Sequence, residues 1–390
     1  MALKGADNMK KIIFIIMDGA ADKEKSALAL AKKPYLDMLA ANGFCGIWTG
    51  PAAPKDYNVK SLSEIANLEL LGYSWSESPG RGFLEALGIG LKPTKNAIYF
   101  RANFATVDKA WNILDRRAGR DESGLKELSK KLSMSINGVK IKFYKGVGHR
   151  GVLELSGFSP AVSDSDIGRK KPQKIVALGK DAKAVKTADV LNAFLKRSQD
   201  ILSSDPINKK RRNPANFILI RGPGSYKRAE SFKERYGMRA CSVSNSGIIQ
   251  GISRYLGIDV IPAGGYSDIE EDLSEKTDIA INALERYDFV LMHINGADVF
   301  SHDKNFKGKI KFIEKIDNEV FSKIIKLRHI KIAVISDHKT SSATGEHSFG
   351  PVPFLIYSGE DVDGIEKFDE KGCRGGFVAA NPMHKILQEV

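Results

Sequence analysis

Three continuous apolar runs constrain this chain more than anything else in it: KKIIFIIM at Lys10–Met17, FVLMHI at Phe289–Ile294 and IAVI at Ile332–Ile335. They are short, rich in β-branched residues and show no polar alternation, which is the pattern of strands buried on both faces of a largely parallel sheet. The second and third each follow a stretch with helical spacing. FILI at Phe217–Ile220, VPFLIY at Val352–Tyr357, and a helical pattern over Asn245–Leu256 ahead of Ile258–Ile261 continue the alternation. The predicted fold is therefore α/β, a doubly wound, mostly parallel sheet.

Such sheets bind their ligands beyond the carboxyl ends of the strands. The polar residues that close the runs can then converge from distant parts of the sequence: Asp18, then Asp298 with His302, then Asp337 with His338. If the segment after Gly296 turns helical, Asp298 and His302 share one face at i, i+4 spacing, as two ligands of one metal would. Asp337 and His338 cannot point the same way from a strand, but a turn at a strand end lets both reach one ion. His347 follows in a loop rich in Gly, Thr and Ser, where a histidine is usually plain surface. Each pair alone is commonplace. Six of the seven histidines, however, fall after residue 290, three of them near carboxylates, and together they point to a di-metal site of oxygen and imidazole donors. For a nucleophile, KSLSEIANLELLGY at Lys60–Tyr73 offers Ser61 and Ser63 ahead of a helical pattern. Either can be a helix cap, Ser61 with Glu64 in a capping box, and a helix N-terminus equally suits a serine that carries a phosphoryl group.

The 390 residues allow one large or two smaller domains, and the net charge of +13 is unevenly spread. Residues 101–235 hold 30 Lys and Arg against 14 Asp and Glu, leaving the rest slightly acidic. With no RNP aromatic motif, no CxxC finger and no basic run longer than Lys209–Arg212, nucleic acid gives way to a small anionic substrate or a solvated basic surface. From about Ala97 to Asn213 the composition shifts to Lys, Ser and mixed strand and helix patterns, read as an inserted α+β domain, with Ser198–Asn216 a loop near its far boundary. The domain limits are set at 9–80 with 236–390 for the sheet domain and 81–235 for the insert. Residues 1–8 precede a second methionine, Met9, and are read as an expression remnant or a frayed end. Cys45, Cys241 and Cys373 lack close pairs and are read as free, buried thiols. Ile12–Met17 is too short to span a bilayer and no signal sequence is evident, so the expectation is a cytoplasmic protein without a membrane partner.

A resemblance sharpens this reading. The stretches IIMDGAAD (Ile15–Asp22), SEIANLELLGY (Ser63–Tyr73), GRGFLEALGIGL (Gly80–Leu91), FRANFATVD (Phe100–Asp108), DRRAGR (Asp115–Arg120), GHRGVLEL (Gly148–Leu155), PANFILIRGPG (Pro214–Gly224), HINGADVFSHD (His293–Asp303), SDHKT (Ser336–Thr340) and EHSFGPVPFLIY (Glu346–Tyr357) span nearly the whole chain. In that order they resemble the archaeal branch of the cofactor-independent phosphoglycerate mutases, in the alkaline phosphatase superfamily. The resemblance implies Ser63 as the phosphorylated nucleophile. It implies one metal among Asp18, Ser63, Asp337 and His338, and another held by Asp298, His302 and His347. It further implies two divalent ions, Mn2+ first, with Mg2+, Co2+ or Zn2+ as substitutes, and no 2,3-bisphosphoglycerate. The implied reaction interconverts 2- and 3-phosphoglycerate in glycolysis and gluconeogenesis. The insert becomes a substrate-handling lid, with Arg101, Arg117, Arg120, Arg150 and Arg221 gripping phosphate and carboxylate as bidentate forks.

The chain departs from the family pattern in places: after Ser63 it has Glu64 and Asn67 where Asp and then His or Asn are common, both tolerable, and two further changes weigh more. Gln250 stands where a lysine is usual, and Asp166-Ile167-Gly168 lacks the histidine of the family's DPH. A neutral amide cannot offset phosphoryl charge, so a diverged metal-dependent phosphohydrolase or phosphotransferase is the alternative on the same scaffold, and a metabolite-binding paralogue without activity is the third. The substrate is expected to be a small phosphorylated metabolite, and an oligomer is left open.

Overall fold

The computed structural model describes residues 11–52, 62–263, 271–359 and 362–388; Ser61 and residues 1–8 lie outside them. The chain divides into two compact units, Met1–Glu77 with Ala229–Val390, and Ser78–Arg228.

The first unit is built on an eight-stranded sheet in the order Asp259–Ile261, Ala240–Val243, Phe289–Ile294, Lys11–Met17, Ile330–Ile335, Val352–Tyr357, Phe44–Trp48, Phe377–Ala379. The three runs that dominate the sequence are its centre: Phe289–Ile294 and Ile330–Ile335 flank Lys11–Met17, both parallel to it. Every residue from Ile12 to Met17 is at most 1% exposed, as two covered faces require. The sheet is mixed, because Val352–Tyr357 runs antiparallel to both of its neighbours. One face carries Ile13, Ile15, Met17, Val290, Met292 and Ile294 into a core with Phe312, Ile316 and Phe321. Burying each such large side chain contributes about 1.5–3 kcal/mol. The Phe232–Tyr236 helix also belongs to this unit, packing Phe232 against Phe289 with ring centroids 4.8 Å apart.

The second unit holds an antiparallel sheet. Its central strand, Ala97–Val107, pairs with Arg150–Ser156 on one side and Phe217–Ser225 on the other. The FILI run thus serves this sheet instead of the parallel one. The expected loop at Ser198–Asn216 is another departure: helix Ala182–Ser204 runs on through Ser198, and a short helix follows at Pro206–Lys210. Leu191, Phe194, Leu195 and Leu202 keep helical spacing into the core, and the buried Ser198 hydroxyl donates to the Leu195 carbonyl. Asp205, read as a loop residue, caps the following helix by accepting from the Ile207 N–H. All three cysteines are free and buried. Among the described residues no helix is long and apolar enough to cross a membrane.

Candidate active site

Asp18, Asp298, Asp337 and His338 follow three adjacent strands of the first unit, and the fold brings them together. Asp18 comes directly after Lys11–Met17, and its N–H donates to the Ile294 carbonyl of the neighbouring strand at 2.9 Å. The segment after Gly296 is helical, Gly296–His302, which stacks Asp298 and His302 one turn apart. Asp337 and His338 occupy the turn between strand Ile330–Ile335 and a two-residue strand, Lys339–Thr340. His347, expected in a loop, pairs instead with Thr340 in a small hairpin that turns it inward. Ser63 sits in the first turn of helix Leu62–Leu70.

Two donor sets result. In the first, His338 Nε2 lies 3.1 Å from Ser63 Oγ and 3.4 Å from both Asp18 Oδ1 and Asp337 Oδ2. In the second, Asp298 lies 3.2 Å from His302 Nε2 and 3.3 Å from His347 Nε2, and the two imidazole nitrogens are 3.1 Å apart. Donors bound at 2.0–2.2 Å to one ion stand roughly 3.0–3.5 Å from each other, so both sets have ligand spacing.

Tautomers agree with it. His302 Nδ1–H donates to the Gly345 carbonyl at 2.7 Å, which leaves a lone pair on Nε2. Thr340 Oγ1 donates to Asp298 Oδ1 at 2.7 Å and is 3.1 Å from His338 Nδ1, so it can accept that proton and likewise free His338 Nε2. Lone pairs and carboxylates facing one another across about 3 Å repel unless a cation lies between them. Burial pushes the Asp337 carboxyl up to about 6, against the opposing pull of the Gly19 N–H. At Asp298 burial is outweighed by His302 and His347, which hold the carboxyl well below its ordinary range. Burial, reinforced by His347, drives His338 well below the usual imidazole value, so it is neutral. Buried carboxylates, imidazoles and a hydroxyl form a set that fits divalent cations.

Several contributors carried no signal in the sequence or only a faint one. Asn67, one helical turn after Ser63, donates to the Ser63 carbonyl at 2.8 Å and to Asp337 Oδ2 at 3.0 Å. The Gly19 N–H donates to Asp337 Oδ1 at 3.0 Å. Lys309, fully buried, ties Asp22 at 3.0 Å to the Thr340 carbonyl at 3.2 Å. His293 sits in the FVLMHI strand beside Asp18, and burial together with the Lys276 ammonium pushes it down to about 3. Asp18, His293 and Asp337 form one compact group of potential metal donors; Asp298, His338 and His347 form another. Gly19 has φ +59°, and a Cβ there would stand 2.7 Å from Asp298 Oδ1 and from Thr340 Oγ1. Gly19→Ala is therefore expected to lose at least about 1–2 kcal/mol to the left-handed backbone alone and to weaken metal binding, read by urea unfolding and Mn2+ titration.

In the second unit, Arg101 and Arg221 face each other across paired strands, and Arg150 opposes Asn103 on the other side. Glu85 accepts from Arg81 Nε at 2.8 Å and lies 3.3 Å from Arg101 Nη1. Burial pushes Glu85 up, but Arg81, Arg101 and Arg150 overcome it and hold the carboxyl at about 2. Burial and then Arg221 depress Arg101, a crowding of positive charge that an anion would relieve. Arg117 precedes the short Ala118–Arg120 turn and Arg120 ends it. They join Arg150 and Arg101 in reinforcing burial to push His149 down to about 2. Arg81 is the member of this cluster that sequence reading passed over. Asp166 is taken up by Arg116 at 3.1 Å. His149 carries a pH consequence. Its folded-state value lies below the ordinary 6.5, so the unfolded chain binds the extra proton, and stability is expected to fall as pH drops below about 6.5. His149→Asn should flatten that slope in urea midpoints measured from pH 7 to 4.

Gln250 lies on helix Gly247–Tyr255, its Nε2 donating to the Ser244 carbonyl at 2.8 Å and its Oε1 facing Arg254 at 3.4 Å.

Comparison with known proteins finds relatives along nearly the whole chain. A family model described as 2,3-bisphosphoglycerate-independent phosphoglycerate mutase matches residues 40–208. A protein of that name from Picrophilus torridus is 37% identical over 94% of this chain and 94% of its own length. One from Archaeoglobus fulgidus is 38% identical over 95% of each. Among solved structures, a cofactor-independent phosphoglycerate mutase from Thermoplasma acidophilum is similar with a TM-score of 0.64 at 32% identity, covering 97% of this chain and 99% of that one. A Pyrococcus horikoshii protein is similar with a TM-score of 0.78 at 27% identity, covering 98% and 97%.

Proposed function

The chain belongs to the 2,3-bisphosphoglycerate-independent phosphoglycerate mutase family, and on that premise we propose that it interconverts 2- and 3-phosphoglycerate by passing the phosphoryl group through Ser63. The observation that carries this reading is the Ser63 hydroxyl 3.1 Å from His338 Nε2, in a ring completed by Asp18 and Asp337. Asp18, Ser63, Asp337 and His338 would hold one divalent ion and Asp298, His302 and His347 the other, Mn2+ being the first choice for such mixed oxygen and nitrogen donors. Bound there, the ions would lower the pKa of the Ser63 hydroxyl and offset charge on the phosphoryl oxygens.

Ser63 gives up its hydroxyl proton as Oγ attacks phosphorus, the ester bond to the glycerate oxygen breaks, and that oxygen takes up one proton to give the free alcohol, so the transfer releases no net proton. The phosphoserine stands in the first turn of helix Leu62–Leu70, where the positive end of the helix dipole favours an anion. Glycerate turns and presents its other hydroxyl, which attacks phosphorus and releases Ser63. Asn67 and the Gly19 N–H hold Asp337 in place during both halves. The insert, residues 81–235, acts as the substrate-handling domain, with Arg101, Arg117, Arg120, Arg150 and Arg221 binding phosphate and carboxylate. The protein is expected to work in the cytoplasm on a soluble metabolite.

A second reading, metal-dependent phosphohydrolase, draws on Gln250: its amide is neutral and already engaged with the Ser244 carbonyl, so it adds no charge to retain a glycerate anion. Phosphorus NMR of the Mn2+-loaded protein with 3-phosphoglycerate separates the two. The mutase yields 2-phosphoglycerate without inorganic phosphate. Phosphate as the sole product would establish the hydrolase instead.

A further inference from the structure

We propose that His293 is itself a ligand, adding a second imidazole nitrogen to the divalent ion held between Asp18 and Asp337. The inference rests on the di-metal reading above and adds a donor that the family resemblance does not include. His293 is 1% exposed, and neither ring nitrogen makes a hydrogen bond among the described residues. Leaving both nitrogens of a buried imidazole without partners is unfavourable, and only something bound at the site relieves it.

The placement follows from the sheet. Strand residues alternate between faces, and Ile16 pairs with His293 in the parallel register. His293 therefore shares a face with Ile16 and with Asp18, two residues further on, while Met292 and Ile294 point into the opposite core. Nε2 comes to 3.5 Å from Asp18 Oδ2. That is too long for a hydrogen bond and within the spacing of two donors on one ion. Asp18 thus turns one carboxylate oxygen toward His338 and the other toward His293. The backbone is pinned as well: buried Lys276 donates to the His293 carbonyl at 2.7 Å while paired with Glu271 at 2.8 Å. A ring held this rigidly acts as a preorganised donor. The chemical consequence is selectivity, because two imidazoles among the donors favour Mn2+, Co2+ or Zn2+ over Mg2+, which prefers oxygen.

Proton NMR of the protein loaded with Co2+ tests this without reference to turnover, since the ring protons of an imidazole bound to Co2+ are strongly shifted and those of an unbound one are not. Wild type is expected to show four shifted imidazole sets, from His293, His302, His338 and His347, and His293→Gln only three. Three sets in wild type, or four in both proteins, would overturn the His293 assignment alone. No shifted set in wild type would overturn it together with the di-metal reading. Mn2+ titration of His293→Gln should weaken one of the two sites at least about tenfold. The wild-type count stands whether or not the variant folds.

Discussion

Ser63→Ala is expected to form 2-phosphoglycerate at least about 10³-fold more slowly than wild type, a loss of about 4 kcal/mol of transition-state stabilisation. The substitution removes one oxygen from the first turn of a helix whose Ile65, Ala66, Leu68 and Leu70 are fully buried. The fold should therefore be unaffected, and thermal unfolding should stay close to wild type. Mn2+ binding should persist as well, because Asp18, Asp337 and His338 remain. A coupled assay for 2-phosphoglycerate, run beside the metal titration, separates the chemical role of the hydroxyl from its contribution as a ligand. Full activity in the variant would remove Ser63 from the mechanism.

Asp298→Asn should remove one metal of two. The carboxylate faces His302 at 3.2 Å, His347 at 3.3 Å and the Thr340 hydroxyl at 2.7 Å. An asparagine can keep the Thr340 hydrogen bond through its oxygen, but it brings no negative charge and points an N–H₂ at one of two imidazole lone pairs. Losing an ion that neutralises phosphoryl charge costs several kcal/mol, or about 10³-fold in rate. Bound Mn2+ measured after dialysis should drop from two per chain to one. Two ions retained with activity lost would mean that Asp298 acts on the substrate directly and is not a ligand.

Much of this centre can be read from the chain before its structure, for a physical reason. Continuous apolar runs leave a parallel strand little alternative, and the first polar residue after such a run stands at the strand's carboxyl end. Asp18 and the Asp337–His338 pair were legible on those grounds, and Asp298 with His302 through helical spacing. His347 was less so, because its inward turn depends on pairing with Thr340, a contact between two-residue strands too short for any periodic signal. His293 hid inside an apolar run, where a histidine reads as one more buried strand residue. Asn67 stands out only through the family resemblance, and no local pattern shows its bond to Asp337, which spans 270 positions. Ser198–Ser204 was misread because its polar letters resemble a loop, although the apolar spacing beneath them continues the helix. Arg81 escaped notice for a similar reason: its link to Glu85 is a common i, i+4 helical pair, and only the fold sets Arg101 on the same carboxylate.

The central claim is that the phosphoryl group rests on Ser63 between leaving one glycerate oxygen and reaching the other. Acid quenching during turnover of 3-phosphoglycerate by the Mn2+-loaded protein, followed by peptide mass spectrometry, measures this directly. The account expects a phosphate ester on Ser63 that is absent without substrate and absent from Ser63→Ala. Steady formation of 2-phosphoglycerate with Ser63 unmodified at every quench time, or phosphate found on another residue, would contradict it.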